Sequence, residues 1–378
     1  MIYLDNSATT KPSDACLKAM NDALTVNFGN PSSLYRIGLD AEKIVKHARE
    51  VIADSIGADP SEVYFTSCGS ESDDTAIFGA WNARKKQGSR IITTAVEHPA
   101  VLRCFEKLAA EGADVQYIPV LSDGNLDMDA FRKLLNEDTV FVSVMHVNNE
   151  TGAIFPIEEI SKEVRKYPNI IFHSDCVQSY GKLDIDVKKL GVDMISLSGH
   201  KVHASKGIGA IYVRKDLHIS PYILGGGQEN GFRSGTENVA GIAGFGAAVE
   251  NMTMVKPDVK EYLKKRLLEE IEDIHINSPE NGAPSVLNVS FTGCRGEVLL
   301  HMLEQDEIYV STGPACSSHK KGGSHVLTAQ GLRPEYIESA VRFSFGYDNT
   351  KEEMDVVVEK LKKYVKMQRR LRKAVKRS

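Results

Sequence analysis

Lys201 closes the run Asp193-Met194-Ile195-Ser196-Leu197-Ser198-Gly199-His200, an apolar stretch that reads as a buried strand. A second strand pattern, Gly207-Ile208-Gly209-Ala210-Ile211-Tyr212-Val213, follows after a few small residues. Lysine is seldom buried without a partner. Burial lowers the pKa of an ammonium and frees the amine to act as a nucleophile, which suits Schiff-base chemistry with an aldehyde. A strand-end lysine that snorkels to water is the competing reading. Asp175 lies 26 residues upstream, just after the apolar run Ile170-Ile171-Phe172. A carboxylate held there can pair with a protonated pyridine nitrogen. Such a lysine and such an acid are the protein's half of pyridoxal phosphate chemistry.

Other residues carry weaker signals of their own. Gly69-Ser70-Glu71-Ser72-Asp73 follows the strand pattern ending Phe65-Thr66. Ser70 reads as an N-cap, with Asp73 three residues on approximating a capping box. A glycine beside exposed helical N–H groups is also a phosphate site. Ser198 and His200 flank the lysine and carry donors for the same phosphate. Thr236 ends a Gly-rich loop and is a further donor, placed by its distance in sequence to come from the facing subunit of a dimer. His98 stands in Glu97-His98-Pro99 at a strand-to-helix junction, because proline suits a first helical turn. An imidazole there can stack on a flat cofactor and move protons. Cys316 sits in the small, polar stretch from Ser311 to His319, with Lys320 and Lys321 just beyond. A thiol in such a setting is a candidate nucleophile, against the plainer reading of an inert loop cysteine. Arg342, in the alternating segment Ala340-Val341-Arg342-Phe343-Ser344, can clamp a carboxylate with two parallel hydrogen bonds. A structural ion pair is the rival.

The elements that must position these residues alternate. Strand patterns fall near 62–66, 90–95, 114–119, 139–145, 170–174, 193–198 and 208–213. Helical patterns fall near 38–57, 71–87, 99–111, 127–136 and 156–166. This alternation implies an α/β fold with a parallel-rich sheet covered on both faces, and ligands beyond the carboxyl ends of its strands. The Gly-rich stretch 221–238 interrupts the pattern, with helices following from about 238 and near 258–273. Residues to about Pro12 read as an extended arm, and 285–366 as a smaller α/β unit. We expect a large domain over 13–250 and a small domain built from 1–12 and 251–378. From Lys360 to Ser378 there are ten Lys or Arg and no acid, which predicts a helix with a solvated basic face or a docking surface for an acidic partner.

The 378 residues, 42% hydrophobic and 26% charged, fit a soluble globular protein of two domains. A net charge of −5 argues against nucleic acid as a partner. No apolar run reaches a membrane span, and the first residues lack the pattern of a signal peptide. The expected location is cytoplasmic. Six cysteines (Cys16, Cys68, Cys104, Cys176, Cys294 and Cys316) show no zinc-ligand spacing, so no metal site is expected.

Several fragments agree in order with one family. They are Tyr3-Leu4-Asp5-Asn6, Gly29-Asn30-Pro31-Ser32-Ser33, Glu71-Ser72-Asp73, Glu97-His98 and His146-Val147-Asn148-Asn149-Glu150-Thr151-Gly152. Asp175 and Gln178, His200-Lys201, Gly225-Gly226-Gly227-Gln228-Glu229, Arg233-Ser234-Gly235-Thr236, Ala315-Cys316-Ser317 and Arg342-Phe343-Ser344 complete the set. Nearly end to end, the chain resembles the nitrogen-fixation-type cysteine desulfurases of the class V aminotransferase group. The resemblance implies pyridoxal 5'-phosphate as cofactor. It implies fold type I, aspartate-aminotransferase-like, with a mostly parallel seven-stranded sheet in the large domain and a smaller α/β domain, in a homodimer. It implies that Lys201 binds the cofactor and moves the substrate's Cα proton. Asp175 would pair with the ring nitrogen, Gln178 would contact the ring hydroxyl, and His98 would stack on the ring. Gly69, Ser70, Ser198, His200 and, across the dimer, Thr236 would bind phosphate. Asn149 and Arg342 would serve cofactor and substrate carboxylate. Cys316 would take sulfur from L-cysteine as a persulfide for an acceptor protein, a scaffold or a tRNA-thiolation relay. Selenocysteine lysis, C–S β-elimination and transamination are alternatives on the same scaffold, and a degenerate relative kept as a binding partner is the non-enzymatic one. The chain departs from the family pattern at Tyr35, Cys68, Cys176, His203 and Pro314. His203 is expected to place an extra imidazole close to Lys201.

Overall fold

The computed structural model describes residues 1–313 and 323–375. The chain begins with β1 (Ile2–Tyr3), α1 (Asp14–Thr25) and α2 (Arg36–Ser55). Alternating elements follow: β2 (Val63–Thr66), α3 (Gly69–Arg84), β3 (Arg90–Thr94), α4 (Pro99–Ala110), β4 (Asp114–Ile118), α5 (Met128–Leu134), β5 (Thr139–Ser143), α6 (Ile157–Val164), β6 (Ile171–Asp175), α7 (Val187–Leu190), β7 (Met194–Ser198) and β8 (Gly209–Val213). After the Gly-rich stretch come α8 (Val239–Glu250), α9 (Pro257–Glu270), β9 (Ile274–Ile276), β10 (Val286–Phe291), α10 (Gly296–Glu304) and β11 (Ile308–Tyr309). The last elements are α11 (His325–Ala329), α12 (Pro334–Glu338), β12 (Ala340–Ser344) and α13 (Lys351–Val375).

All seven expected strands form one sheet in the order β2-β8-β7-β6-β5-β3-β4. β7, β6, β5, β3 and β4 run parallel, and β8 is antiparallel to both its neighbours. The twofold period of a strand divides its side chains between two apolar layers. Ile91, Ile171, Met194 and Ile211 pack with Ala76, Ile77 and Phe105 of α3 and α4. Their neighbours Ile92, Phe172, Ile195 and Tyr212 pack into the core on the other face. α8 closes that core, and its glycines admit close neighbours. A Cβ on Gly246 would stand 2.7 Å from Ala48 Cβ, and one on Gly244 would stand 2.6 Å from Met20 Cγ.

A second core lies around the antiparallel sheet β12-β10-β9. Leu287, Val289, Phe291, Val341 and Phe343 meet Leu263, Leu267, Leu299 and Leu361 there. The N-terminal arm joins this core rather than the first one. β1 pairs with β11, Leu4 is buried among these residues, and Asp5 bridges to Ser344. α13 buries Met354, Val357, Val358 and Leu361, while Lys366 and Arg370 border a solvent-facing concavity. Among the described residues, no helix is long and apolar enough to cross a membrane.

Candidate active site

Each parallel strand ends at the same edge of the sheet, and the loops leaving that edge carry the candidate residues. β6 ends on Asp175, and β7 ends on Ser198 and turns once through Gly199–Lys201. β3 leads to His98 and β5 to Met145. These residues line one cavity of about 230 Å³ with Gly69, Ser70, Asn149, Gln178 and His200. Nine sequence-predicted residues therefore meet there: Gly69, Ser70, His98, Asn149, Asp175, Gln178, Ser198, His200 and Lys201.

The N-terminal arm reaches back over the amine. Lys201 Nζ donates to the main-chain carbonyls of Ser7 and Ala8, the latter at 2.8 Å. Asp175 is buried, and its Oδ1 accepts the Val177 N–H at 2.9 Å. Burial pushes this carboxyl up to about 6, while the Val177 hydrogen bond and the charge of Lys201 pull it down. His98 caps α4 through Nδ1, which accepts the Ala100 N–H at 3.2 Å. An acceptor nitrogen carries no proton, so the neutral ring is protonated at Nε2. Burial and the charge of Lys201 hold it neutral, with a pKa down to about 4. Burial and neighbouring lysines lower His200 to about 4 as well, and its Nδ1 lies 3.1 Å from Thr9 Oγ1.

The start of α3 differs from the expected capping box. Cys68, not Ser70, occupies the N-cap, and it makes no side-chain cap. Glu71, at the third helical position, reaches back instead, and its Oε2 accepts the Ser67 N–H at 2.9 Å. Ser70 is thereby left exposed on the cavity wall beside helical N–H groups that have no acceptor within the helix. Gly69 allows this approach. A Cβ there would lie 2.8 Å from Val177 Cγ2 and 3.4 Å from Ser198 Cβ.

Among the described residues, two predicted site residues, Arg342 and Thr236, do not line the cavity. Arg342, buried on β12, donates from Nη2 to Asp5 Oδ1 at 2.7 Å and from Nη1 to the Asn149 carbonyl at 2.9 Å. The structural ion pair is thus present, but Nε is buried without an acceptor. Thr236 lines a separate concavity of about 200 Å³ with Phe65, Glu229 and Arg233. Ion pairs pin that Gly-rich stretch at Arg49–Glu229 (2.7 Å) and Arg233–Glu71 (2.7 Å). Cys316 lies outside the described residues, as does Pro314. His203 does not line the main cavity. Its ring packs edge-on against Tyr347 at 4.8 Å, and its Nδ1 is 3.0 Å from the Lys11 carbonyl.

The aminotransferase class-V family profile matches residues 2–357. The cysteine desulfurase IscS of Clostridium botulinum is 42% identical over 98% of this chain and 96% of its own length. The chain belongs to the class V aminotransferase family, among its cysteine desulfurases. The cysteine desulfurase IscS of Methanosarcina thermophila is 43% identical over 95% of this chain and 90% of its own. A solved NifS-like protein superposes with a TM-score of 0.90 at 37% identity, covering 97% of this chain and 99% of that one. SspA, solved in complex with cysteine, gives 0.84 at 35% identity over 91% and 99%.

Cys68, Asp73, Met145 and Val177 also line the cavity. In the sequence, Cys68 stands out as a departure from the family pattern and Asp73 as part of a capping box, neither with a site role. Met145 and Val177 were passed over, and their available signal was a motif residue within two positions. Asp73 Oδ1 is buried without a hydrogen-bond partner, 3.8 Å from His173 Nε2, and burial and the charge of Asp175 raise its carboxyl well above the usual range. Behind it, His173 is held between Ser143 and Ser196 at 2.9 Å on each side. Glu97 is fully buried beneath His98, and burial pushes it up to about 8.

Proposed function

We propose that the protein is a pyridoxal phosphate-dependent cysteine desulfurase that converts L-cysteine to L-alanine and passes the sulfur to an acceptor protein. The observation that carries this reading is the single cavity joining Lys201, Asp175, His98 and the α3 N-terminus. The cofactor fits the donor set. Ser198 Oγ and Gln178 Oε1, both on the cavity wall, are buried with no protein partner, and buried polar atoms require one. The bound cofactor would supply an electron sink for bond changes at the substrate's Cα.

The chain's own residues do the rest. Gly69 and Ser70 bind phosphate with helical N–H groups and a hydroxyl, aided by Ser198 and His200. Thr236 adds a donor from the facing subunit. Asp175, ionised beside Lys201, keeps a proton on the ring nitrogen, and Gln178 orients the ring hydroxyl. The Lys201 amine moves the proton at Cα. Neutral His98, on the cavity wall, would stack on the ring and carries a transferable proton on Nε2. Arg342 and Asn149 bind the substrate carboxylate, for which the unpaired Nε is a ready donor. The Cys316 thiolate attacks the substrate sulfur as the Cβ–S bond breaks. The electron pair of that bond stays with the carbon skeleton, which takes up a proton at Cβ to leave as alanine, and Cys316 holds the sulfur as a persulfide until an acceptor takes it.

A homodimer is supported by exposed Leu24, Val26, Phe28 and Leu34, all on one short stretch, since monomers rarely expose contiguous apolar surface. We place the enzyme in the cytoplasm. The reading is tested by incubating the purified protein with pyridoxal phosphate, L-cysteine and a thiol. Equimolar alanine and sulfide support it. Pyruvate with ammonia, or a requirement for a keto acid, refutes it in favour of elimination or transamination.

A further inference from the structure

Lys182 is a buried lysine beside the half-buried Lys201; it is 5% exposed, and the mechanism above gives it no task. It lies between β6 and α7. Its Nζ donates to the main-chain carbonyl of Lys201 at 3.1 Å and to that of Tyr180 at 3.5 Å. Lys182 and Lys201 share the wall of a small second pocket with Thr10, His203 and Phe345. No carboxylate lines that pocket, and among the described residues none forms an ion pair with Lys182. Lys201, His200 and His203 are in electrostatic reach of Lys182, and Asp348 acts on His203 beside it. Lys201 is also acted on by Asp175 and His98 on the cavity side. Burial, then the charge of Lys201, lowers Lys182 to about 7.

Two effects follow from this placement. The hydrogen bond fixes the peptide unit of Lys201, and so the direction in which its side chain leaves the turn. The charge of Lys201 in turn lowers Lys182, so the two amines titrate as a coupled pair. We infer that Lys182 is a positioning residue for the active-site amine, holding the Lys201 carbonyl, and with it the turn from which the side chain leaves, in place. This deepens the proposed function, because it takes Lys201 as the reacting amine, yet it can be tested without that function.

The test is trace reductive methylation of the full-length protein, without added cofactor, over a pH series, with labelling of Lys201 and Lys182 read by peptide mass spectrometry. Lys182→Met removes the donor to the Lys201 carbonyl and is expected to change the labelling rate of Lys201 at a fixed pH about three- to tenfold. Lys182→Arg keeps a donor and is expected to restore the wild-type rate. Because the charge of Lys201 lowers Lys182, Lys201→Met is expected to raise the Lys182 midpoint by about half a unit to one unit, which provides an arm if Lys182→Met does not fold. With pyridoxal phosphate bound, the visible band of Lys182→Met should be weaker than that of Lys182→Arg at the same pH. Lys201 labelling unchanged in Lys182→Met, or a Lys182 midpoint unchanged in Lys201→Met, overturns the inference. An absent visible band with coupled labelling retained would overturn the cofactor reading and leave the inference standing.

Discussion

Glu97→Gln should stabilise the folded protein, and more so as pH rises. Glu97 Oε1 accepts from Thr94 Oγ1 at 2.8 Å and from the Met145 N–H at 2.9 Å, while Oε2 is buried with no partner. Glutamine can keep both hydrogen bonds through its carbonyl and carries no charge. Burial raises the carboxyl from 4.5 to about 8, so near neutrality the folded state holds a proton that the unfolded chain has released. An acid of raised folded pKa loses stability as pH climbs from its unfolded to its folded value. At pH 7 the interval above 4.5 is about 2.5 units, which at ~1.4 kcal/mol per unit is about 3 kcal/mol. Glu97→Gln removes that term. Denaturant unfolding at pH 5, 7 and 9 should show a small difference at pH 5, about 3 kcal/mol in favour of the variant at pH 7, and more at pH 9. A difference independent of pH, or a variant less stable at pH 9, would refute a buried protonated Glu97.

The remaining predictions concern the site directly. Gly69→Ala places a methyl group 2.8 Å from Val177 Cγ2; overpacking of this kind costs about 1–3 kcal/mol, and titration should show weaker pyridoxal phosphate binding, whereas unchanged affinity would remove Gly69 from the phosphate site. Asp175→Asn keeps an acceptor for the Val177 N–H, so folding should survive while turnover falls about a hundredfold or more; near-normal turnover would refute the ring-nitrogen role. Arg342→Ala leaves Asp5 and the Asn149 carbonyl without their donor, at a cost of about 3 kcal/mol or more, read as a lowered denaturation midpoint together with a raised KM for cysteine. Cys316→Ala should still bind cofactor but lose persulfide transfer, measured by sulfur labelling of the protein.

The sheet was legible because its strands are short apolar runs separated by helical periods, and all seven positions held. α1 was not. Of its twelve residues only Cys16 and Ala23 are buried, and Leu17 and Leu24 face outward, so no apolar stripe announces it. The cavity residues were legible because each follows a strand end, where the topology must bring them together. What could not be read was the use of buried groups. Glu71 paired with Arg233, Asp73 on the cavity wall, Glu97 against the Met145 N–H and Lys182 against the Lys201 carbonyl all depend on neighbours well separated in sequence. Arg342 shows the same limit. Its strand was read correctly, yet its pairing with Asp5 rests on the N-terminal arm folding across 337 residues.

The most direct test is to load the purified protein with pyridoxal phosphate, reduce it with borohydride and map the modified peptide by mass spectrometry. The account predicts a pyridoxyl group on Lys201. A group fixed on any other lysine, or none fixed at all, would contradict it.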